Sequence, residues 1–471
     1  MVLVGLALRL WLLFGNAGMT PDSPIYLRMA DSLAAGRPAI EPAHHGYPTL
    51  IAGASQAIPE SEWPGRIISL ISGVLLLPVV HGLARTVTNP RWALLAAALA
   101  ALHPLLVAYS GAIAPDSLFL LMVTLSMLMV SSYKFTSGGL WLGLGYVVRP
   151  EALWIAPALA LLSREVRGTV AVLIAFAAVA LPYAGYLRLE RGHWSLAPQV
   201  VSTASAPAVQ TPGTVAPTDA SAPPPEAARP GYLQGLLRHS AKLVELWPWP
   251  LLILSLLGLA LAPGPLIAPL VVLPLLPLLA IPADGRFLLA MLPSLMAYAA
   301  LPPRWVAERW PRARAAAPVL GAIALAGMVV CWIGPAGGGA RAFVGGPREL
   351  REAGRWLREH GPAGATVMDR QTFVAFFAQM RHVPVPDGSL DAILEHARAT
   401  GVDYLVVEDN VAGFDPRLAP LFADGSFRKA ERRLNVVHEV ILEPLKGVMV
   451  FEVVRGDSLA DPAAADSIAT P

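Results

Sequence analysis

The chain of 471 residues carries a formal net charge of +2, with 55% hydrophobic and 14% charged residues. Soluble globular domains run at about 45–50% apolar and about 25% charged, so this balance is that of an integral membrane protein. So small a net charge leaves no electrostatic footprint for nucleic acid, and the single cysteine, Cys331, set in an apolar run, excludes an intrachain disulfide and a thiolate metal cluster.

The first apolar run, Val2 to Phe14, is as short as a secretory signal, but no small-residue cleavage site follows it and Arg9 interrupts it. It reads as a retained first helix. Directly after it, Met19 to Leu50 is polar: Asp22 opens a helix-like run, Ser23 to Ala35, and the loop also supplies Arg28, Asp31, Glu41, His44, His45 and Tyr47. Such polarity beside an apolar span puts the chemistry at a membrane face. Further apolar runs cover approximately Pro64–Leu83, Trp92–Val107, Ser117–Val130, Leu140–Leu162, Val170–Tyr186, Leu246–Leu261, Pro265–Ile281, Phe287–Leu301 and Pro318–Ile333. Several fall short of the ~20 residues an upright span needs, which predicts tucked or packed helices. Trp247 and Trp249, flanked by prolines, read as an interfacial aromatic belt.

The run ending at Leu162 is broken by Arg149, Pro150 and Glu151. As one span it would hold charges at mid-bilayer, at about 2.5–3.5 kcal/mol each on insertion scales, whereas two short helices meeting there let the charges reach the surface. With two helices and the N-terminus inside, Arg85 and Arg91, Lys134, Arg164 and Arg167, and the run Arg304, Arg309, Arg312 and Arg314 all face the cytoplasm. The expectation is an all-α polytopic protein of about eleven helices in the cell (inner) membrane, with Asp22, Asp116, Arg149, Arg286 and the C-terminus outside.

Residues 202–230, rich in Ala, Pro, Thr and Ser, cannot bury a core and read as a disordered external loop. From about Arg341 the composition turns soluble: an amphipathic helix (Pro347–His360), a strand (Ala365–Met368), a helix (Leu390–Thr400), a strand (Tyr404–Val407) and an apolar pair, Val436–Leu442 and Val448–Val454. Residues 341–456 are thus expected to form a small external α/β domain, with Asp369 and Glu408 at strand ends as turn or capping residues, and 457–471 a disordered tail.

One order of motifs carries a family resemblance. Asp22-Ser23-x-x-Tyr26, His45-Gly46-Tyr47-Pro48, Arg66, Pro115-Asp116-Ser117-Leu118-Phe119, Gly143-Leu144-Gly145-x-x-x-Arg149-Pro150 and Arg286-Phe287-x-x-x-x-Pro293 follow one another over residues 1–335. This resembles the C-superfamily (GT-C) glycosyltransferases, most of all their bacterial protein-mannosyltransferase and aminoarabinose-transferase relatives. Two departures stand out: the family's acid pair after the first helix is Asp22-Ser23 here, and its His-Pro-Pro is His45-Gly46-Tyr47-Pro48.

The resemblance implies a 1–335 transmembrane glycosyltransferase domain with an external catalytic loop at 19–63. It implies a sugar on a polyprenyl phosphate as donor and a glycan, lipid or protein hydroxyl as acceptor. Asp22 is then the general base, with N-capping of the following helix as its alternative. Asp116 is a second acid that orients the acceptor or helps hold a divalent cation, with capping again the alternative. Arg149 and Arg286 would bind the leaving phosphate, against simple snorkelling at the interface. Tyr26, His45, Tyr47, Arg66 and Glu151 complete the expected substrate-binding set, Arg66 also as a clamp on the loop through Asp31 or Glu41. His44, His45 and Glu41 suggest a metal but lie on one side of a loop, so no metal ligand is assigned and a divalent cation stays open. The competing classes are a transporter or lipid flippase, against which the hydropathy shows no internal repeat, and a non-catalytic scaffold, which leaves the polar first loop unexplained.

Overall fold

The computed structural model describes residues 2–194, 243–261, 285–333, 348–370, 372–408 and 433–454, apart from positions 16–18, 21, 40, 42, 60–61, 162, 164, 245–246, 248, 311, 313–314, 387–388 and 444–445 within them. The expected loop at 202–230, the apolar run at 265–281 and the tail at 457–471 lie outside the described residues. The chain divides into two units, Met1–Val344 and Gly345–Pro471.

The first unit is helical. Its helices are α1 (Val2–Gly15), α2 (Ser23–Ala34), α3 (Gly46–Ser55), α4 (Trp63–Arg85), α5 (Pro90–Leu102), α6 (Pro104–Gly111), α7 (Asp116–Ser131), α8 (Phe135–Val148), α9 (Ala152–Leu161) and α10 (Val166–Arg191). After them come α11 (Trp249–Leu261), a 3₁₀ turn (Gly285–Met291), α12 (Leu292–Ala299), α13 (Leu301–Arg309) and α14 (Ala316–Ile333). Among the described residues α4, α10 and α14 are each long and apolar enough to cross a membrane, and α5 with α6 pass that test together, bent by 57°. The remaining apolar helices, α1, α7, α8, α9 and α11, have 10–17 residues, the short, packed kind the sequence suggests.

Local chemistry sets the breaks. Asn89 caps α5 by accepting from the Trp92 N–H at 3.1 Å, and Pro90 sits where its missing N–H costs nothing. Pro104 ends α5 and starts α6. Between α8 and α9 the chain does split at Arg149-Pro150-Glu151, Arg149 taking an extended conformation (φ −148°, ψ 140°). The charges at this split face carboxylates of the protein itself: Arg149 is paired with Asp116 and with Glu151. Arg149 is buried beneath α7, because carboxylates on both sides neutralise it in place. Trp247 departs from the expected belt: it is fully buried, stacked on His103 and donating to Ser255 Oγ at 3.0 Å, whereas Trp249 is exposed.

In the second unit, α15 (Arg348–His360) precedes β1 (Thr366–Asp369), α16 (Phe373–Ala378), β2 (Arg381–Pro384), α17 (Leu390–Ala399), β3 (Tyr404–Glu408), β4 (Leu434–Glu443) and β5 (Lys446–Val453). The sheet order is β2-β1-β3-β5-β4, with β1 parallel to β2 and β3 and the β4–β5 hairpin antiparallel. Its core gathers Met368, Ile393, Leu394, Leu405, Val407 and Phe451. The expected α/β elements are present; α16 and β2 are additional.

Candidate active site

The site forms where two segments that each precede a helix are tied together. Met19, just before α2, makes a parallel bridge with Ile113, just before α7. The buried Ser23 hydroxyl donates to the Ile113 carbonyl at 2.7 Å and accepts from the Thr20 N–H at 2.6 Å. Ser69 of α4 donates to the neighbouring Ala114 carbonyl at 3.1 Å. Asp22 and Asp116, at the starts of α2 and α7, are therefore held near each other, and Asp22 and Arg286 both act electrostatically on Asp116. This explains serine at position 23: an ionised carboxylate could not donate to the Ile113 carbonyl.

Neither acid caps its helix with its side chain. Asp22 Oδ2 instead accepts from Arg286 Nη1 at 2.8 Å, with both side chains 34% exposed. Asp116, buried, pairs through Oδ1 with Arg149 Nη1, while its Oδ2 makes no hydrogen bond. Arg149 also forks onto Glu151, with Nε 3.1 Å from Oε1 and Nη2 2.6 Å from Oε1, and lies over the Phe119 ring. Its donors are thus spent on two carboxylates. Of the two arginines assigned to phosphate, the structure leaves Arg286 the more accessible one.

The rest of the predicted set supports this centre. Tyr26 and Tyr47 are buried and meet edge to face at 5.7 Å. Tyr47 donates to the Gly65 carbonyl at 2.9 Å and contacts Ser69 Oγ at 2.9 Å, joining the network that holds Ala114. Arg66 pairs with Glu62 at 2.8 Å, one helical turn away, and lies 5.8 Å over Trp63. Among the described residues no ion pair joins Arg66 to Asp31 or Glu41, and Glu41 pairs with Arg28 at 3.4 Å. Gly46 explains the second departure from the family pattern. A Cβ there would sit 2.8 Å from the Val147 carbonyl oxygen, so α3 can start against the end of α8 only without a side chain.

His45 ties the loop to the end of α10. Its backbone N–H donates to Tyr183 Oη at 2.9 Å and its Nε2 lies 3.2 Å from Glu190 Oε2. His44 Nδ1 donates to the Tyr146 carbonyl at 2.6 Å; burial pushes its pKa down to about 4, against that bond and the charge of Glu151, so the ring is neutral at physiological pH. His44, His45 and Glu41 therefore turn to separate partners, and among the described residues no three His, Cys, Asp or Glu side chains converge to hold a metal ion. Sequence reasoning noted Ser23 only as a departure from the family's acid pair and missed Ser69, Tyr183 and Glu190, for which the Glu190-Arg191 charge pair at the end of an apolar run was the one visible signal.

Residues 46–188, which carry Tyr47, Asp116, Arg149 and Glu151, match the family model described as dolichyl-phosphate-mannose-protein mannosyltransferase. That match covers part of the chain, over residues that also carry several of the motifs that resemble the C-superfamily glycosyltransferases. Among solved structures the chain is similar to ArnT from Cupriavidus metallidurans in the apo state, at 11% identity and a TM-score of 0.63 over 98% of this chain and 99% of that one. It is similar to the same protein bound to undecaprenyl phosphate, at 12% identity and 0.64 over 96% and 97%. The oligosaccharyltransferase of Archaeoglobus fulgidus in the apo form follows at 14% identity and 0.54, over 87% of this chain and 68% of that one. Comparison with curated protein sequences gives no match.

Proposed function

We propose that the chain moves a sugar from a polyprenyl-phosphate donor to an acceptor hydroxyl at the extracytoplasmic face of the cell membrane, with inversion at the anomeric carbon. The observation that carries this reading is the Asp22–Arg286 pair beside the buried Asp116–Arg149–Glu151 cluster. The similar ArnT bound to undecaprenyl phosphate supports the donor class.

Asp22 takes the proton from the acceptor hydroxyl as its oxygen attacks the anomeric carbon. A C–O glycosidic bond forms, the bond from that carbon to the phosphate oxygen breaks, and the electron pair leaves with polyprenyl phosphate. Arg286 exchanges Asp22 for the phosphate, neutralising the charge that develops there and releasing the carboxylate to act as base. A positioned base contributes roughly 10²–10⁴ in rate. Arg149 holds Asp116 and Glu151 in place rather than meeting the phosphate first, and Asp116 Oδ2 orients the acceptor.

In this reading about eleven helices span the bilayer, in accord with loop charge, and the second unit lies outside. The test is transfer of label from undecaprenyl-phosphate-linked sugars to envelope fractions by the purified protein.

A further inference from the structure

Arg9 is a charge in the first apolar helix that the proposed chemistry does not use. It is fully buried, and its bonds form a set: Nε donates to Ser110 Oγ at 3.1 Å, Nη1 to the Gly5 and Ala101 carbonyls at 3.0 and 3.2 Å, and Nη2 to the Ala100 carbonyl at 3.4 Å. The break between α5 and α6 accounts for these acceptors. A helical carbonyl is normally taken by the N–H four residues on. For Ala100 that residue is Pro104, which has no N–H, and for Ala101 it is Leu105, which the 57° bend carries away from the α5 axis. The next carbonyl, Leu102, is taken by Trp332 Nε1 at 2.8 Å.

Room for the guanidinium is built in. A Cβ at Gly73 would collide with Ser110 Oγ and come within 3.3 Å of Arg9 Nε, and one at Gly5 would lie 3.2 Å from Nη1. Residues from α1, α4, α5 and α6 thus converge on one side chain. In an apolar surrounding, unmade bonds to two backbone carbonyls would otherwise go unreplaced by water.

We infer that Arg9 is a positioning residue: it supplies donors to the two carbonyls left open by Pro104 and by the bend, and holds α6 at the angle that delivers the Ile113–Asp116 segment to the site. Ser110, bonded to Arg9, stands six positions before Asp116. Beyond it, Ile113 and Ala114 are fixed from the other side by Met19, Ser23 and Ser69. The segment that carries Asp116 is pinned at both ends. The part of this inference that concerns turnover rests on the proposed roles of Asp22 and Asp116; the part that concerns the break does not.

The test uses the full chain in lipid nanodiscs, as wild type, Arg9→Met, Arg9→Lys and Ser110→Ala, followed by hydrogen–deuterium exchange and by binding of undecaprenyl phosphate. Arg9→Met should speed exchange in residues 105–116 about tenfold or more while α10 and the second unit keep wild-type protection. Undecaprenyl phosphate should bind within about twofold of wild type, because Arg286 is untouched, and Arg9→Lys should recover part of the protection. With a donor that the wild type turns over, kcat should fall and KM hold. Wild-type exchange in 105–116 for Arg9→Met, or a rise spread evenly over the first unit, overturns the inference. If Arg9→Met does not fold, Ser110→Ala decides: a rise confined to 105–116 supports the role and unchanged exchange overturns it. A wild type that transfers no sugar defeats the proposed activity and leaves the exchange result to judge Arg9.

Discussion

Asp22 and Arg286, 264 positions apart in sequence, are joined by a 2.8 Å ion pair at the edge of the buried cluster. A carboxylate suited to take a proton and a guanidinium suited to take a phosphate neutralise each other here. In the proposed mechanism, donor binding trades one anion for another at Arg286. Arg286→Lys keeps the charge but loses the planar fork, so it should lower kcat/KM for a polyprenyl-phosphate donor ten- to more than a hundredfold, about 1.5–3 kcal/mol, with expression and insertion intact. Steady-state kinetics over a donor titration checks this; unchanged turnover in both Arg286→Lys and Arg286→Ala would place the phosphate elsewhere.

Arg149 is expected to behave differently, because its donors already serve Asp116 and Glu151. Arg149→Met strands two buried carboxylates and should cost about 3–5 kcal/mol of stability, read as a clear fall in Tm. Undecaprenyl phosphate affinity should respond more to Arg286→Ala than to Arg149→Lys. The reverse order would make Arg149 the phosphate ligand and Arg286 the partner of the base.

Much of this architecture is legible in the residues. The Arg149-Pro150-Glu151 interruption divides α8 from α9, and the change from apolar runs to amphipathic periods after Arg341 marks the second unit. What hydropathy cannot carry is pairing. It lets Arg149 be read beside Glu151 but not beside Asp116, the α7 carboxylate that the folded chain also sets against it. The same blindness hides the Asp22–Arg286 contact and the tie between His45 and Glu190, 145 positions apart by their numbering. Residues 373–384 run from FVAFFA to RHVP with no sustained period, which is why α16 and β2 escape notice.

Loop charge makes a separate prediction about orientation. Reporter fusions after Leu162 and after Arg314 should both report the cytoplasm, and a fusion after Val344 the outside. An outside signal after Arg314 would separate Asp22 and Arg286 across the bilayer and contradict the site itself.

The second unit should carry its own pH dependence. Burial, with the negative charges of Asp369 and Glu349, pushes Glu408 at the end of β3 up to about 7. A carboxyl that holds its proton longer in the folded than in the unfolded chain stabilises the fold fully below the unfolded value near 4.5, and that contribution is lost as pH rises toward about 7. The loss amounts to up to about 3 kcal/mol, at 1.36 kcal/mol per unit. Exchange protection of residues 404–408, corrected for intrinsic rates, should therefore weaken between pH 4.5 and 7, and Glu408→Gln should flatten the profile. A wild-type profile already flat over that window would mean that Glu408 is not held protonated.

The most direct test of the account is sugar transfer by purified wild type and Asp22→Asn, assayed with the same undecaprenyl-phosphate-linked donor and envelope acceptor. The substitution keeps the shape of the side chain and removes the charge that accepts the proton. Because Asp22 does not cap α2 with its side chain, the fold should persist while kcat falls at least about 10²-fold, the lower bound for a positioned general base. A folded Asp22→Asn protein that keeps more than about a tenth of wild-type kcat would contradict Asp22 as the base.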